Sequence, residues 1–197
     1  MEEGIKISCF KAYDVRGRMP DELNEDVARR IGRAYAQVIQ PGRVIVGRDI
    51  RLSSDALAAA LSEGLNAGGA DVLDIGLCGT EEVYFATFDQ GVGGGIMVTA
   101  SHNPPDFNGM KFVREGSRPI SGDSGLGDIH TLAESGEFEA PAATGSVQAV
   151  EVWQRYVEHL LGYVDADALA PLKIVVNAGN GGAGLTIDRL EPHLPFE

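Results

Sequence analysis

The chain has 197 residues and a formal net charge of −13, a size that suits one domain or one domain with part of another. So acidic a chain is a poor partner for nucleic acid, although local cations and backbone amides can still bind a small phosphate. Two cysteines, Cys9 and Cys78, do not make a disulfide framework and favour a reducing compartment. The first residues have neither a basic nor an apolar region, and no apolar run approaches the ~20 residues of a bilayer span. The expectation is a cytoplasmic protein with no membrane and no nucleic-acid partner.

Taken in chain order, Val27, Ile31, Ala34, Tyr35 and Val38 recur at helical spacing, and Pro41-Gly42 closes a helix over 24–40. The β-branched run 43–46 predicts a buried strand. Ser53 and Ser54 are N-cap candidates for a helix with core residues Leu57, Leu61 and Leu65, ended by Gly68-Gly69. A strand over 70–75 follows, then a short helix capped by Thr80 with Glu81 and Glu82 in its first turn. Residues 94–99 predict a third buried strand. This alternation implies βαβ units, giving a three-layer α/β/α fold around a mixed, mainly parallel sheet.

Beyond Ser101 the rhythm changes. Pro104-Pro105-Asp106 and Asn108-Gly109 are turn signals, and 110–113 reads as a strand. About ten residues are too few for a helical crossover, so this strand is expected to be antiparallel, near a sheet edge. A helix follows around 127–133. The small, weakly patterned residues 141–148 read as a linker after a first domain over 1–140. Residues 149–197 then hold a helix from 150 to 161, with Val150, Trp153 and Val157 on one face, a strand over 173–176 and a glycine turn. A strand, a turn and a short helix do not complete a domain, so this part reads as the truncated start of a second α/β domain. Its apolar strand lacks neighbours, and the tail is expected either to pack on the first domain or to self-associate.

The segment Thr99-Ala100-Ser101-His102-Asn103-Pro104 directly follows a buried strand. Ligands in open α/β sheets gather at the carboxyl ends of strands, so Ser101 stands at the functional edge. Lys111, on the returning strand, would bring an ammonium near it. A serine hydroxyl, a local cation and free amides suit a group that accepts and returns a phosphoryl; a polar turn between strands uses the same residues. A hydrolase reading is poorer. No Gly-x-Ser-x-Gly elbow surrounds Ser101, and His102, adjacent on an extended backbone, would point to the opposite face.

Residues 13–17, Tyr-Asp-Val-Arg-Gly, read as a loop, where Arg16 either offers a forked guanidinium to phosphate or is a solvated turn residue. In 46–53, Arg48 and Asp49 either pair and shape the loop or meet a ligand. Gly179, Gly181 and Gly184 match a dinucleotide fingerprint, but no second strand and acidic residue follow at the required distance, so a tight strand-to-helix turn is the better reading. There is no zinc spacing among the cysteines and histidines, and no Walker loop.

Taken together, Tyr13-Asp14-Val15-Arg16-Gly17, Val46-Gly47-Arg48-Asp49, Thr99 to Pro104, Asn108-Gly109-Met110-Lys111 and Asn177-Ala178-Gly179-Asn180-Gly181 stand in the order seen in the α-D-phosphohexomutases. The stretches 79–87 and 114–123 resemble the bacterial phosphomannomutase branch, although Gly-Thr-Glu stands where many relatives have a Pro-Thr-Pro-like turn. The resemblance covers essentially the whole chain. It implies interconversion of hexose 6-phosphate and hexose 1-phosphate, feeding GDP-mannose synthesis, with Ser101 as the phosphoserine and hexose 1,6-bisphosphate as intermediate and activator. It further implies Mg²⁺ bound through the Ser101 phosphate, with its remaining ligands outside these residues. Arg16, Lys111, Tyr13 and Asn103 would surround phosphate, and His102 would shape the loop or assist proton transfer. Such a family has four domains, so the part in hand is expected to be inactive alone. A non-catalytic phosphosugar-binding module, a dinucleotide-binding domain built around 179–184 and phosphoglucomutase specificity remain the alternatives.

Overall fold

The computed structural model describes residues 3–179 and 181–197. Seven strands form one mixed sheet: β1 (Val15–Arg18), β2 (Arg43–Arg48), β3 (Asp71–Leu77), β4 (Gly94–Val98), β5 (Phe107–Arg114), β6 (Arg118–Pro119) and β7 (Val147–Ala149). Their order is β1-β5-β4-β2-β3-β7, with β6 against β5. The run β4-β2-β3-β7 is parallel, whereas β5 is antiparallel to β1, β4 and β6. The short connection before β5 does produce the antiparallel return expected of it.

Helices cover both faces, and the period-two alternation along the strands decides which residues meet them. Val44, Val46, Ile96, Val98, Met110 and Phe112 pack against α1 (Glu25–Ile39), α2 (Ser54–Ala67) and α4 (Leu126–Ser135). Ile45, Leu73 and Met97 face the other way, towards α3 (Thr80–Asp89). Asn24 caps α1 by accepting from the Val27 N–H at 3.0 Å, and Gln40 ends it in the left-handed region at φ 51°. Pro41 and Gly42 then turn the chain into β2. Tyr35 is fully buried and donates to the Val113 carbonyl at 2.8 Å. Burial also pushes the Cys9 and Cys78 thiols up to about 12, so neither is a nucleophile at neutral pH.

Several local expectations need correction. Residues 15–18 are not loop but β1; the strand is short and its partner, β5, is distant in sequence. Ser53 stands at the N-cap of α2 and Ser54 is its first residue, but neither hydroxyl makes a capping bond: Ser53 Oγ accepts from Asn108, and Ser54 Oγ accepts from Asn108 and donates to Asp49. Thr80 is the first residue of α3 rather than its cap, and Glu82 accepts from the Gly79 N–H at 2.7 Å. The later helix, α5 (Trp153–Leu161), begins three residues beyond Val150, whose N–H instead donates to the Asp74 carbonyl.

Within 141–148, Asn66 Nδ2 donates to the Ser146 carbonyl, and Gly145 N–H donates to the Asn66 carbonyl. The Ser146 hydroxyl and N–H both donate to Asp71, which lowers its carboxyl pKa through those hydrogen bonds. Helix α5 packs on α3, with Phe85 against Tyr156 and His159. Further on, α6 (Ala183–Leu190) meets the body through Arg189, which lies over Trp153 and pairs with the buried Glu82 at 3.4 Å. The turn read at 179–184 is described except for Asn180, which lies outside the described residues.

Residues 173–176 form no strand, which corrects the sequence reading. They have no sheet neighbour, and Ile174, Val175 and Val176 are exposed. Among the described residues, their backbone N–H groups make one bond, from Ile174 N–H to the Glu197 carbonyl. Amide exchange should therefore be slow over 43–48, 71–77 and 94–98 and fast over 169–179 in a dilute monomer. Uniform protection of both would show a partner surface for the tail.

Candidate functional site

β4 ends at Val98, and the next residues build a loop at the carboxyl end of the parallel strands. Thr99 N–H still bonds the Gly109 carbonyl of β5. From Ala100 the chain turns: Asn103 donates to the Ala100 carbonyl through both its N–H, at 3.0 Å, and its Nδ2, at 2.8 Å. Ser101 sits on the outer side of this turn at φ 52°, a left-handed conformation that costs a non-glycine residue of order 1 kcal/mol or more. The Ser101 N–H is fastened to Thr99 Oγ1 at 2.8 Å, and that hydroxyl donates to Asp49 Oδ2 at 2.6 Å. The serine side chain is exposed.

Because Ser101 is left-handed, His102 does not point away from it as strand alternation predicts. His102 Nδ1 lies 3.4 Å from Ser101 Oγ. Thr99, Ser101, His102 and Asn103 together wall a cleft of about 1030 Å³, whose far side is formed by the start of α3 and by residues 181–187.

The expected cations are placed differently. The sheet register sets Arg16 opposite Gly109, and Lys111 opposite Met97. Alternation therefore puts Arg16, Lys111 and Met97 on one face of the sheet. Gly109 separates them with no side chain; a Cβ there would meet the Val15 carbonyl at 2.2 Å. The Arg16 guanidinium is turned to Asp14 at 2.8 Å and lines a separate recess with Lys11 and Arg18. Neither Arg16 nor Lys111 belongs to the cleft wall. Tyr13 projects into solvent, 77% exposed.

Arg48 and Asp49 do not pair. Arg48 goes to Asp55 and Asp74. Asp49 takes the hydroxyls of Thr99 and Ser54, each at 2.6 Å, together with the Arg51 N–H. The residue missed from sequence is Arg51. Its side chain is 13% exposed, and its guanidinium donates to the carbonyls of Ser101, Asn103, Pro104 and Phe107 at 2.6–2.8 Å. The one available signal was Pro104-Pro105: two prolines remove N–H groups from a turn and leave carbonyls in need of a donor.

Among the described residues, no three of His, Cys, Asp and Glu converge on a point that would hold a metal ion. Asp49, the carboxylate tied to this loop, already has both oxygens occupied. Apart from a phosphate on Ser101, the described residues do not supply a set of ligands for Mg²⁺.

A model of the phosphoglucomutase/phosphomannomutase family, alpha/beta/alpha domain I, matches residues 8–139. The chain belongs to this family. It is 59% identical over 191 residues to a phosphomannomutase of Salmonella typhimurium strain LT2, which covers 96% of the chain and 42% of that protein. The corresponding figures for a phosphomannomutase of Escherichia coli K12 are 55% over 188 residues, 94% and 41%. A crystal structure of a phosphoglucomutase/phosphomannomutase family protein from Burkholderia thailandensis superimposes with a TM-score of 0.86 at 39% identity, over 97% of this chain and 43% of that one. The chain thus spans about two fifths of the length of the relatives it matches. The matched residues include β1 to β6 and the loop at 99–104. No helix among the described residues is long and apolar enough to cross a membrane.

Proposed function

We propose that this chain carries the phosphoserine of a cytoplasmic phosphomannomutase, which interconverts mannose 6-phosphate and mannose 1-phosphate through a hexose 1,6-bisphosphate. The observation that carries the reading is the exposed Ser101, held left-handed beyond the carboxyl end of β4 and opening on a cleft. In the first transfer the bond between phosphorus and Ser101 Oγ breaks as one forms to a sugar hydroxyl oxygen, whose proton passes to the departing Oγ. His102 Nδ1, beside Oγ, is the candidate to shuttle that proton in its neutral form. In the return step the roles of the two oxygens reverse. Mg²⁺, held in part by the Ser101 phosphate, would neutralise charge on the transferring group. Arg16 and Lys111 share the sheet face behind the loop and would steady the anionic charge at longer range.

Incubating the chain with glucose 1,6-bisphosphate and measuring its intact mass tests the proposal. One added phosphoryl group, mapped to Ser101, is the expected result; no transfer would leave at most a binding module. In a protein that acquires the group, Arg16→Ala and Lys111→Met are expected to slow acquisition while changing stability by less than ~0.5 kcal/mol. A large fall in Tm with unchanged transfer would make both residues structural.

A further inference from the structure

We infer that Arg51 is a positioning residue that aims the backbone N–H of His102 at the phosphate carried by Ser101, an inference that rests on the reading of Ser101 as the phosphoryl carrier. In residues 101–105, prolines 104 and 105 have no N–H. The Ser101 N–H is held by Thr99 Oγ1, and the Asn103 N–H by the Ala100 carbonyl. Among the described residues, the His102 N–H is the donor of this segment left without a partner.

Arg51 determines where that donor points. Nη2 takes the carbonyls of Ser101 and Asn103, at 2.8 and 2.6 Å. Nη1 takes those of Pro104 and Phe107, each at 2.8 Å. Nε lies 3.5 Å from Asp49 Oδ2, so the guanidinium has two carbonyls on each Nη and a carboxylate beside its charge. In a trans peptide the carbonyl and the following N–H point in opposite directions. With the Ser101 carbonyl drawn inwards to Arg51, the His102 N–H must face away from it, on the side of the loop that leaves Ser101 exposed. A backbone donor beside a serine oxygen is suited to a phosphate oxygen.

A lysine cannot replace this fork. It keeps the charge and much of the stem, but its three donors radiate from one atom and cannot span four carbonyls. The test therefore compares Arg51→Lys and Arg51→Ala with the unaltered chain. One measurement is amide exchange at Ser101 and Asn103; the other is the rate of phosphoryl acquisition from glucose 1,6-bisphosphate. Both variants should speed exchange at these amides by at least ~10-fold while leaving β2 and β4 protected. Acquisition should slow by about 100-fold. Millimolar guanidinium chloride should restore part of both properties in Arg51→Ala, and an equal concentration of sodium chloride should not. Wild-type exchange at Ser101 and Asn103 in Arg51→Lys would overturn the inference, as would wild-type acquisition. If the unaltered chain acquires no phosphoryl group, the functional reading fails, and a flattened exchange contrast separately sinks the positioning of the loop. Should Arg51→Ala not fold, Arg51→Lys gives the same decision.

Discussion

Ser101→Ala is expected to abolish phosphoryl acquisition from a hexose bisphosphate while leaving the fold as stable as before. The hydroxyl is the proposed acceptor, and with it absent no oxygen at that position can form the bond to phosphorus. A longer polypeptide bearing the same change should lose turnover by orders of magnitude. Stability should hold because the side chain is exposed and its one described side-chain contact is the 3.4 Å approach of His102; such surface changes stay within ~0.5 kcal/mol. Ser101→Gly sharpens the test. Glycine accepts φ 52° without the steric cost that serine bears, so this variant should be equally inactive with a Tm no lower than that of the unaltered chain. Acquisition at the normal rate in either variant would place the phosphoryl group elsewhere and remove Ser101 from the mechanism.

The largest stability effect is expected at the contact of α1 with α2. These helices approach so closely that a Cβ on Gly64 would lie 1.9 Å from the Arg29 carbonyl oxygen, and one on Gly32 would lie 2.2 Å from that of Leu61. Gly64→Ala must push the helices apart and loosen Leu61, Leu65 and Ile31, all fully buried beside them. Overpacking of this kind costs about 3 kcal/mol at the upper end of its usual range. Alanine returns about 1 kcal/mol through its better helix propensity. The net loss of about 2 kcal/mol should lower Tm by about 4–8 °C in a chain of this length. Gly184→Ala is the control, since nothing lies within 4 Å of a Cβ there. It should not lower Tm, and a Gly64→Ala protein that melts with it would show that the helices adjust without cost.

Much of the architecture was legible because it is local. Asn24 and Pro41-Gly42 mark the ends of α1, the β-branched run marks β2, and the short connection after Ser101 forces β5 to run backwards. β1 and β7 were hidden for a physical reason. Each is held by a partner remote in sequence, and neither Val-Arg-Gly-Arg nor the exposed Val-Gln-Ala carries an alternating apolar signal. The reverse error occurred at 173–176, where a strongly strand-like run has no neighbour to bond. In the site, the turn around Ser101 was readable from Asn103 and Pro104. Arg51 was not, because a buried arginine that serves carbonyls looks like a surface arginine until the fold closes over it. His102 was misjudged because a left-handed serine cannot be inferred from side-chain alternation.

The small strand β7 bears on where the polypeptide can be divided. Composition alone suggests a cut near residue 140, in a stretch of alanine, proline and threonine. Hydrogen bonding puts the end of the sheet later: Val147, Gln148 and Ala149 lie along Val72, Leu73 and Asp74. Removing them would strip β3 of its outer neighbour and bare a row of backbone donors and acceptors beside buried Val72 and Leu73. A naked edge of that kind templates pairing with other molecules. Three weakly patterned residues thus serve as a protective hem, and a soluble excised unit would keep the chain through Ala149.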